Sequence, residues 1–361
     1  MGGEAEVQNQ GQGGIDYDWE VLGSHELEKE QRDQLYAFRS ALTDCYALNG
    51  ARVIDVDRLP RPDGDTDKSL SEQMKGAVID RVTRKTQRLW LSPEYEWLGY
   101  AGLGNFNVIR TASAETSAHH VFFGIMHGGE PEGRGLKVAI KPCVENRTTA
   151  CSDWLNATLA AKNGERGYKT VGFMFHDGTG YSITELDEST DTLDNTNWGN
   201  VLVDESDLEY MHQVAILGDI AKKLADLHNK NVFHGDPQFK NIALDVTGET
   251  FFIDWESATF FGGDQKYSDI LHKSEHDLRV LFSSMARSEK AKGVGILSDF
   301  THSVQWVLFK KHIFDPYMEE RLEKAEDPGL VFDLVADIEE RLEQYITNGE
   351  LYTNLRRARS N

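Results

Sequence analysis

Long apolar runs are missing from this sequence. No stretch approaches the roughly 18 consecutive apolar residues of a membrane-spanning helix, so no membrane association is expected. Cysteine is scarce: Cys45, Cys143 and Cys151 form an odd set with no CxxC pair and no nearby histidine cluster. That argues against a disulfide framework or a zinc site and suits a reducing compartment. Positive charge is also short, with 38 Lys and Arg against 60 Asp and Glu and a net charge of −22. Such a balance repels nucleic-acid phosphates, so no nucleic-acid partner is expected. It favours neutral or cationic partners and, more generally, solubility. The opening MGGEAEVQNQGQGG lacks the basic and apolar regions of a secretory leader, and Glu6 spoils a myristoylation pattern. A cytoplasmic protein is the expectation.

The 361 residues, 39% hydrophobic, suffice for two core-bearing units. Residues 1–16 are rich in Gly and Gln and are expected to be disordered. Leu27, Leu35, Phe38, Leu42 and Tyr46 recur at helical spacing, predicting a helix from about Ser24 to Leu48, which Gly50 stops. After a Pro- and Asp-rich loop, a second helix is expected over Ser69–Gln87. Residues 1–95 therefore read as a helical N-terminal extension, with no chemistry of its own but with room to recruit a protein partner.

A strand-rich unit follows over residues 96–186. Asn105–Thr111, His119–Met126 and Leu136–Lys141 are β-branched and aromatic runs. A helix over Ala150–Lys162 and two further strands, Thr170–His176 and Tyr181–Leu186, come next. The order βββαββ is that of a kinase small lobe. Residues 187–361 begin with an acidic linker to Asp207. Then comes an amphipathic helix, Leu208–Lys230, whose apolar face holds Met211, Val214, Ile216, Leu217, Ile220, Leu224 and Leu227. The rest reads as helices.

The chemistry-bearing residues lie between His234 and Glu256, in HGDPQFKN and IDWE. Phosphoryl transfer from ATP needs a carboxylate that orients the attacking hydroxyl, and an amide and a second carboxylate that hold Mg²⁺ on the phosphates. Asp236, Asn241 and Asp254 supply these groups, in a catalytic loop followed by a hairpin. Alone, Asp236 before Pro237 would be an ordinary turn residue. The company of Asn241 and Asp254 favours the catalytic role. Asn241 and Asp254 are the expected metal ligands. His234 is expected to be scaffold, and Glu256 to be an additional acid beside the site. His119 and His120 have no third ligand and are read as no metal site.

Lys141, at the end of the strand Val138-Ala139-Ile140-Lys141, is the expected phosphate-binding cation, with Asp153 or Glu145 as its acidic partner. No glycine-rich GxGxxG covers the phosphates; Ser113–Ala118, with the hydroxyls of Ser113, Thr116 and Ser117, is the candidate turn. The strand end Thr184-Glu185-Leu186 is the expected adenine hinge, and Lys240 reads equally as a γ-phosphate contact or as a solvated loop lysine.

These motifs resemble those of the aminoglycoside phosphotransferase and choline kinase-like superfamily. His234-Gly235-Asp236 with Asn241 resembles its HGDxxxxN loop, and Ile253-Asp254-Trp255-Glu256 its metal motif. Gln238 is similar to the choline kinase form of the loop, and His276-Asp277-Leu278 resembles a helix-start acid pair of the family. The match covers roughly residues 100–285. Pro237 departs from the usual leucine, and the activation segment of eukaryotic-type protein kinases is missing. The resemblance implies an α+β, protein-kinase-like two-lobe fold, with a small five-stranded antiparallel lobe and a larger helical one. It also implies ATP and Mg²⁺ as cofactors and a small-molecule hydroxyl as acceptor. From the net charge and Gln238, that acceptor is expected to be cationic, aminosugar- or choline-like. Two other readings stand beside it: an atypical protein Ser/Thr kinase, and a nucleotide-binding pseudokinase scaffold.

Overall fold

The structure, a computed structural model, describes residues 29–48, 51–56, 74, 88–100, 106–112, 121–127, 135–143, 147–176, 179–187, 190–193, 208–261, 265–286, 297, 300–325 and 327–348. The expected disordered start, the helix expected over Ser69–Gln87 (apart from Met74) and the turn Ser113–Ala118 lie outside these residues, as do Glu145 and most of the acidic linker.

The fold is α+β. A helix α1 (Lys29–Leu48) is followed by strands β1 (Ala51–Val53), β2 (Arg88–Leu91), β3 (Phe106–Ala112), β4 (Val121–His127) and β5 (Gly135–Cys143). Helix α2 (Arg147–Lys162) then leads to β6 (Thr170–His176) and β7 (Thr179–Glu185). All seven strands form one sheet in the order β1-β2-β6-β7-β5-β4-β3. The sequence predicts five strands, all antiparallel. The structure adds two, with β2 antiparallel to β6 and β1 parallel to β2. The segment before residue 95 is thus not a purely helical extension, because it completes the sheet. β1 and β2 are only 3 and 4 residues long, too short to show a period. What makes them strands is an open edge: β2 pairs with the edge of β6 and β1 with the edge of β2.

Side chains alternate between the two faces, as in β4, where every second residue is buried. On one face Leu89, Leu91, Phe122, Val138 and Ile140 pack with Leu35, Phe38 and Leu42 of α1. On the other, Trp90 stacks on Phe173 at 6.3 Å, and Phe173 meets Trp154 of α2 at 5.2 Å. Burying each such side chain stabilises the fold by roughly 1.5–3 kcal/mol. At Gly172 of β6, β2 approaches so closely that a Cβ would lie 2.0 Å from the Trp90 carbonyl oxygen.

The α2 face of the core continues into the helical part. Strand β8 (Thr190–Thr192) precedes helix α3 (Leu208–Asn229), which leads into β9 (Val232–Phe233), β10 (Ile242–Asp245), β11 (Thr250–Phe252) and β12 (Thr259–Phe260). Helices α4 (Tyr267–Ala286), α5 (His302–Phe309), α6 (Asp315–Glu323) and α7 (Pro328–Thr347) follow, with a π-helical turn, Lys310–Phe314, between α5 and α6. In α3 the expected apolar face is buried at Ile216, Leu217, Ile220, Leu224 and Leu227, but Met211 is exposed. It lies in the first turn, beyond the reach of the core. None of the described helices is long and apolar enough to cross a membrane.

Candidate active site

Two short ladders bring the motifs together. β9 pairs with β12, setting Phe233 opposite Thr259, so the chain before His234 runs beside the chain after Glu256. The β10–β11 hairpin sets Ile242 opposite Phe252, and the Ile253 N–H donates to the Asn241 carbonyl at 2.9 Å. Asn241 and Asp254 are neighbours by construction. At Gly235, with φ +81, a Cβ would lie 2.4 Å from the Ser257 carbonyl oxygen. Only glycine permits that approach of the two loops.

The Asp236 carboxylate is held on both oxygens. Gln238 Nε2 donates to Oδ1 at 2.5 Å and Asn241 Nδ2 to Oδ2 at 2.9 Å; Asn241 also donates to the Asp236 carbonyl at 2.9 Å. A carboxylate has about four lone-pair sites, so each oxygen can accept another donor. Asp254 sits in the left-handed region at φ 60, ψ 63, heading a 3₁₀ turn, Trp255–Ser257. Its Oδ1 accepts from Lys141 Nζ at 3.0 Å, and Lys141 also reaches Glu256 Oε2 at 3.1 Å. Burial alone would lower the Lys141 pKa, but Asp254, Asp153 and Glu256 together outweigh it and raise it. Lys141 is therefore a fixed cation.

No family model matches the chain, and no curated protein does.

Asp153 is not the hydrogen-bonding partner expected for Lys141. It is buried and accepts from Ser182 Oγ at 2.6 Å, while Lys141 turns to Asp254 and Glu256. Asp153 is one methylene shorter than glutamate, and Ser182, paired with Lys141 across β5 and β7, takes up its carboxylate. Burial pushes its pKa up to about 6. Cys143, two residues beyond Lys141, has its thiol pushed up to about 12 by burial and is no nucleophile.

The loop is anchored from below by Asp277, which is fully buried. Its carboxylate accepts from the His234 N–H at 2.8 Å, the Gly235 N–H at 2.9 Å and His228 Nε2 at 3.1 Å. His276-Asp277-Leu278 was expected at a helix start but lies in the middle of α4. That depth is what puts the carboxylate under the loop. His234 links both motifs: its Nδ1 accepts from the Asp236 N–H at 3.3 Å and its Nε2 donates to the Ile253 carbonyl at 3.0 Å. Burial lowers its pKa, so it is neutral scaffold.

Asn241 Oδ1 and Asp254 Oδ2 accept no hydrogen bond from the described residues. One amide oxygen and one carboxylate oxygen are hard donors that fit Mg²⁺. No group of three or more His, Cys, Asp or Glu that could hold a metal occurs among the described residues. Phosphates and water would have to complete the ion's shell.

The other expected residues fare differently. Ser113, Thr116 and Ser117 lie outside the described residues. Lys240 is exposed at the loop rim. At the expected hinge, the Glu185 N–H donates to the Lys169 carbonyl at 2.8 Å and the Leu186 N–H to the Lys137 carbonyl at 2.9 Å. Adenine cannot use those two donors in this arrangement. Thr184 is paired with Ala139 within the sheet, and the Glu185 carboxylate accepts from the Tyr95 hydroxyl at 2.5 Å. A sequence reading misses Asn156 and His228. The available signal was a polar residue in an otherwise buried helical stretch.

Proposed function

We propose that this chain is an ATP- and Mg²⁺-dependent phosphotransferase with a protein-kinase-like two-lobe fold, acting on a hydroxyl of a small acceptor and related to the aminoglycoside phosphotransferase and choline kinase-like superfamily. The observation that carries this reading is the meeting of Lys141 with Asp254, 113 residues further along the chain, on a turn hydrogen-bonded to the Asp236–Asn241 loop. A cation, a metal-binding acid and amide, and a hydroxyl-orienting acid on three separate elements are the set phosphoryl transfer requires.

Asp236 would accept a hydrogen bond from the acceptor hydroxyl and take its proton late in transfer. Asn241 fixes the Asp236 carboxylate through Nδ2 and keeps Oδ1 for the metal. Lys141 would move from Asp254 and Glu256 to the phosphates, and Asp254 would take the ion in its place. Mg²⁺, when bound, neutralises charge on the phosphates. The net charge of −22 and the carboxylate of Glu256 beside the site favour a cationic acceptor.

The test is ADP release across a panel of hydroxyl acceptors, cationic alcohols and aminosugars included, with labelled ATP and protein acceptors run in parallel. Mg²⁺-dependent release with at least one small acceptor is expected. Asp236→Ala should lose roughly 10²–10⁴-fold in rate, the usual share of a positioned acid or base. A variant as active as the parent removes the base assignment. Transfer confined to protein acceptors replaces the acceptor class.

A further inference from the structure

Asn156, on α2, is buried, and its Nδ2 faces three backbone carbonyls of a distant turn: Trp255 at 2.9 Å, Glu256 at 3.2 Å and Ala258 at 3.1 Å. Three carbonyl oxygens converging on one point repel one another unless a donor sits between them. The two amide hydrogens supply that donor, and the orientation has no alternative, since the amide oxygen in that place would add a fourth acceptor.

The turn gripped this way follows Asp254 directly. Asp254 holds a left-handed backbone, φ 60, which a non-glycine residue keeps only where both flanks are fixed. The preceding flank is fixed by the catalytic loop: the Ile253 N–H donates to the Asn241 carbonyl and His234 Nε2 to the Ile253 carbonyl. The following flank is closed by the Ala258 N–H to the Trp255 carbonyl at 3.0 Å and is tied to the rest of the molecule through Asn156. Asp153 lies three residues earlier on α2, hence on the same helical face, and its charge acts on Lys141.

We infer that Asn156 is the positioning residue for the metal-binding acid: through three carbonyls of the turn after Asp254 it ties that acid to α2. The inference rests on the phosphotransferase reading for the metal, though the grip on the turn does not. Asn156 touches no reacting atom. Its effect passes through the backbone to the place where the Asp254 carboxylate stands.

The experiment compares Asn156→Ala and Asn156→Gln with Thr158→Val, a change on the same helix away from the turn. Mn²⁺ binding is read by electron paramagnetic resonance in the presence of a non-hydrolysable β,γ-imido ATP analogue, and folding by thermal melting. Asn156→Ala is expected to weaken Mn²⁺ at least tenfold in folded protein. Asn156→Gln, which keeps the NH₂, should recover part of the loss, and Thr158→Val should bind as the parent does. A folded Asn156→Ala protein with the parent's Mn²⁺ affinity overturns the inference. Should Asn156→Ala not fold, Asn156→Gln decides: a lower Mn²⁺ affinity supports the inference and an unchanged one overturns it. If the parent binds neither Mn²⁺ nor nucleotide, the phosphotransferase reading fails. Amide exchange over residues 256–258 then decides the grip separately, at least tenfold faster exchange in the variants supporting it and unchanged exchange overturning it.

Discussion

Lys141 holds two carboxylates at once, and this sets the charge around it. Asp254 and Glu256 both bond its Nζ, so a free divalent ion must compete with an ammonium already in place. Lys141→Met is expected to tighten nucleotide-free Mn²⁺ binding by roughly three- to tenfold. The figure is kept modest because the pair is partly exposed and screened by solvent. On the proposed phosphotransferase function, turnover should be lost in the same protein, because the phosphates would lose their cation. Calorimetric titration with Mn²⁺ checks the first part, and weaker binding in the variant would show that Lys141 does not occupy the ion's place. At this scale the sequence was informative for acids and cations, because the types of residue at the HGD, Asn241 and IDWE positions already limit the chemistry. It was uninformative for Asp153, whose bond to Ser182 depends on which strand lies beneath the helix.

At the level of elements, the loop from His234 to Asn241 is a stretch of backbone hung on one buried carboxylate. Asp277 accepts from two loop N–H groups and from His228, whose other nitrogen meets the Tyr317 hydroxyl at 2.8 Å. Asp277→Ala leaves three neutral donors without an acceptor and is expected to cost at least about 1–3 kcal/mol of stability, the range for leaving a buried donor unpaired. Asp277→Asn should cost less, since it keeps one acceptor and the shape. Urea unfolding measures both, and a loss under 1 kcal/mol for the alanine variant would mean that the loop is held otherwise. The loops were legible in the sequence as motifs. Their attachment was not, because Asp277 is about 40 residues away from the loop in the chain and reads as an ordinary acid in an amphipathic helix.

For the molecule as a whole, two imidazoles buried as neutral groups fix how stability responds to pH. Burial lowers the pKa of His228 and of His234 below the ordinary 6.5. As pH falls through about 6.5, the unfolded chain takes up two protons that the folded chain refuses, so stability drops, by up to about 1.4 kcal/mol per pH unit for each. Asp153 acts in the opposite sense. With its folded pKa at about 6 it is protonated when folded and ionised when unfolded between about pH 4 and 6, so acidification in that window stabilises the fold and offsets one imidazole. The loss is therefore expected to set in around pH 6.5 and to continue below pH 6 at about the rate of one imidazole. Urea unfolding at pH 7.5, 6.5 and 5.5 reads it, and equal stability at all three values would contradict the neutral burial of the two histidines.

The sequence by itself determined which side chains are candidates for the site, and most of the sheet. Asp236, Asn241, Asp254 and Lys141 could be selected because side-chain type and local spacing are properties of the chain. β3 to β7 could be placed because their residues alternate or cluster at strand length. Tertiary structure decided the rest. β1 and β2 are too short to carry a pattern; β2 became a strand against the edge of β6, and β1 against the edge of β2. Lys141 took Asp254 and Glu256 in place of Asp153, and Asn156 took hold of a turn about 100 residues ahead of it. Such pairings depend on distances through space, which residue order alone does not contain.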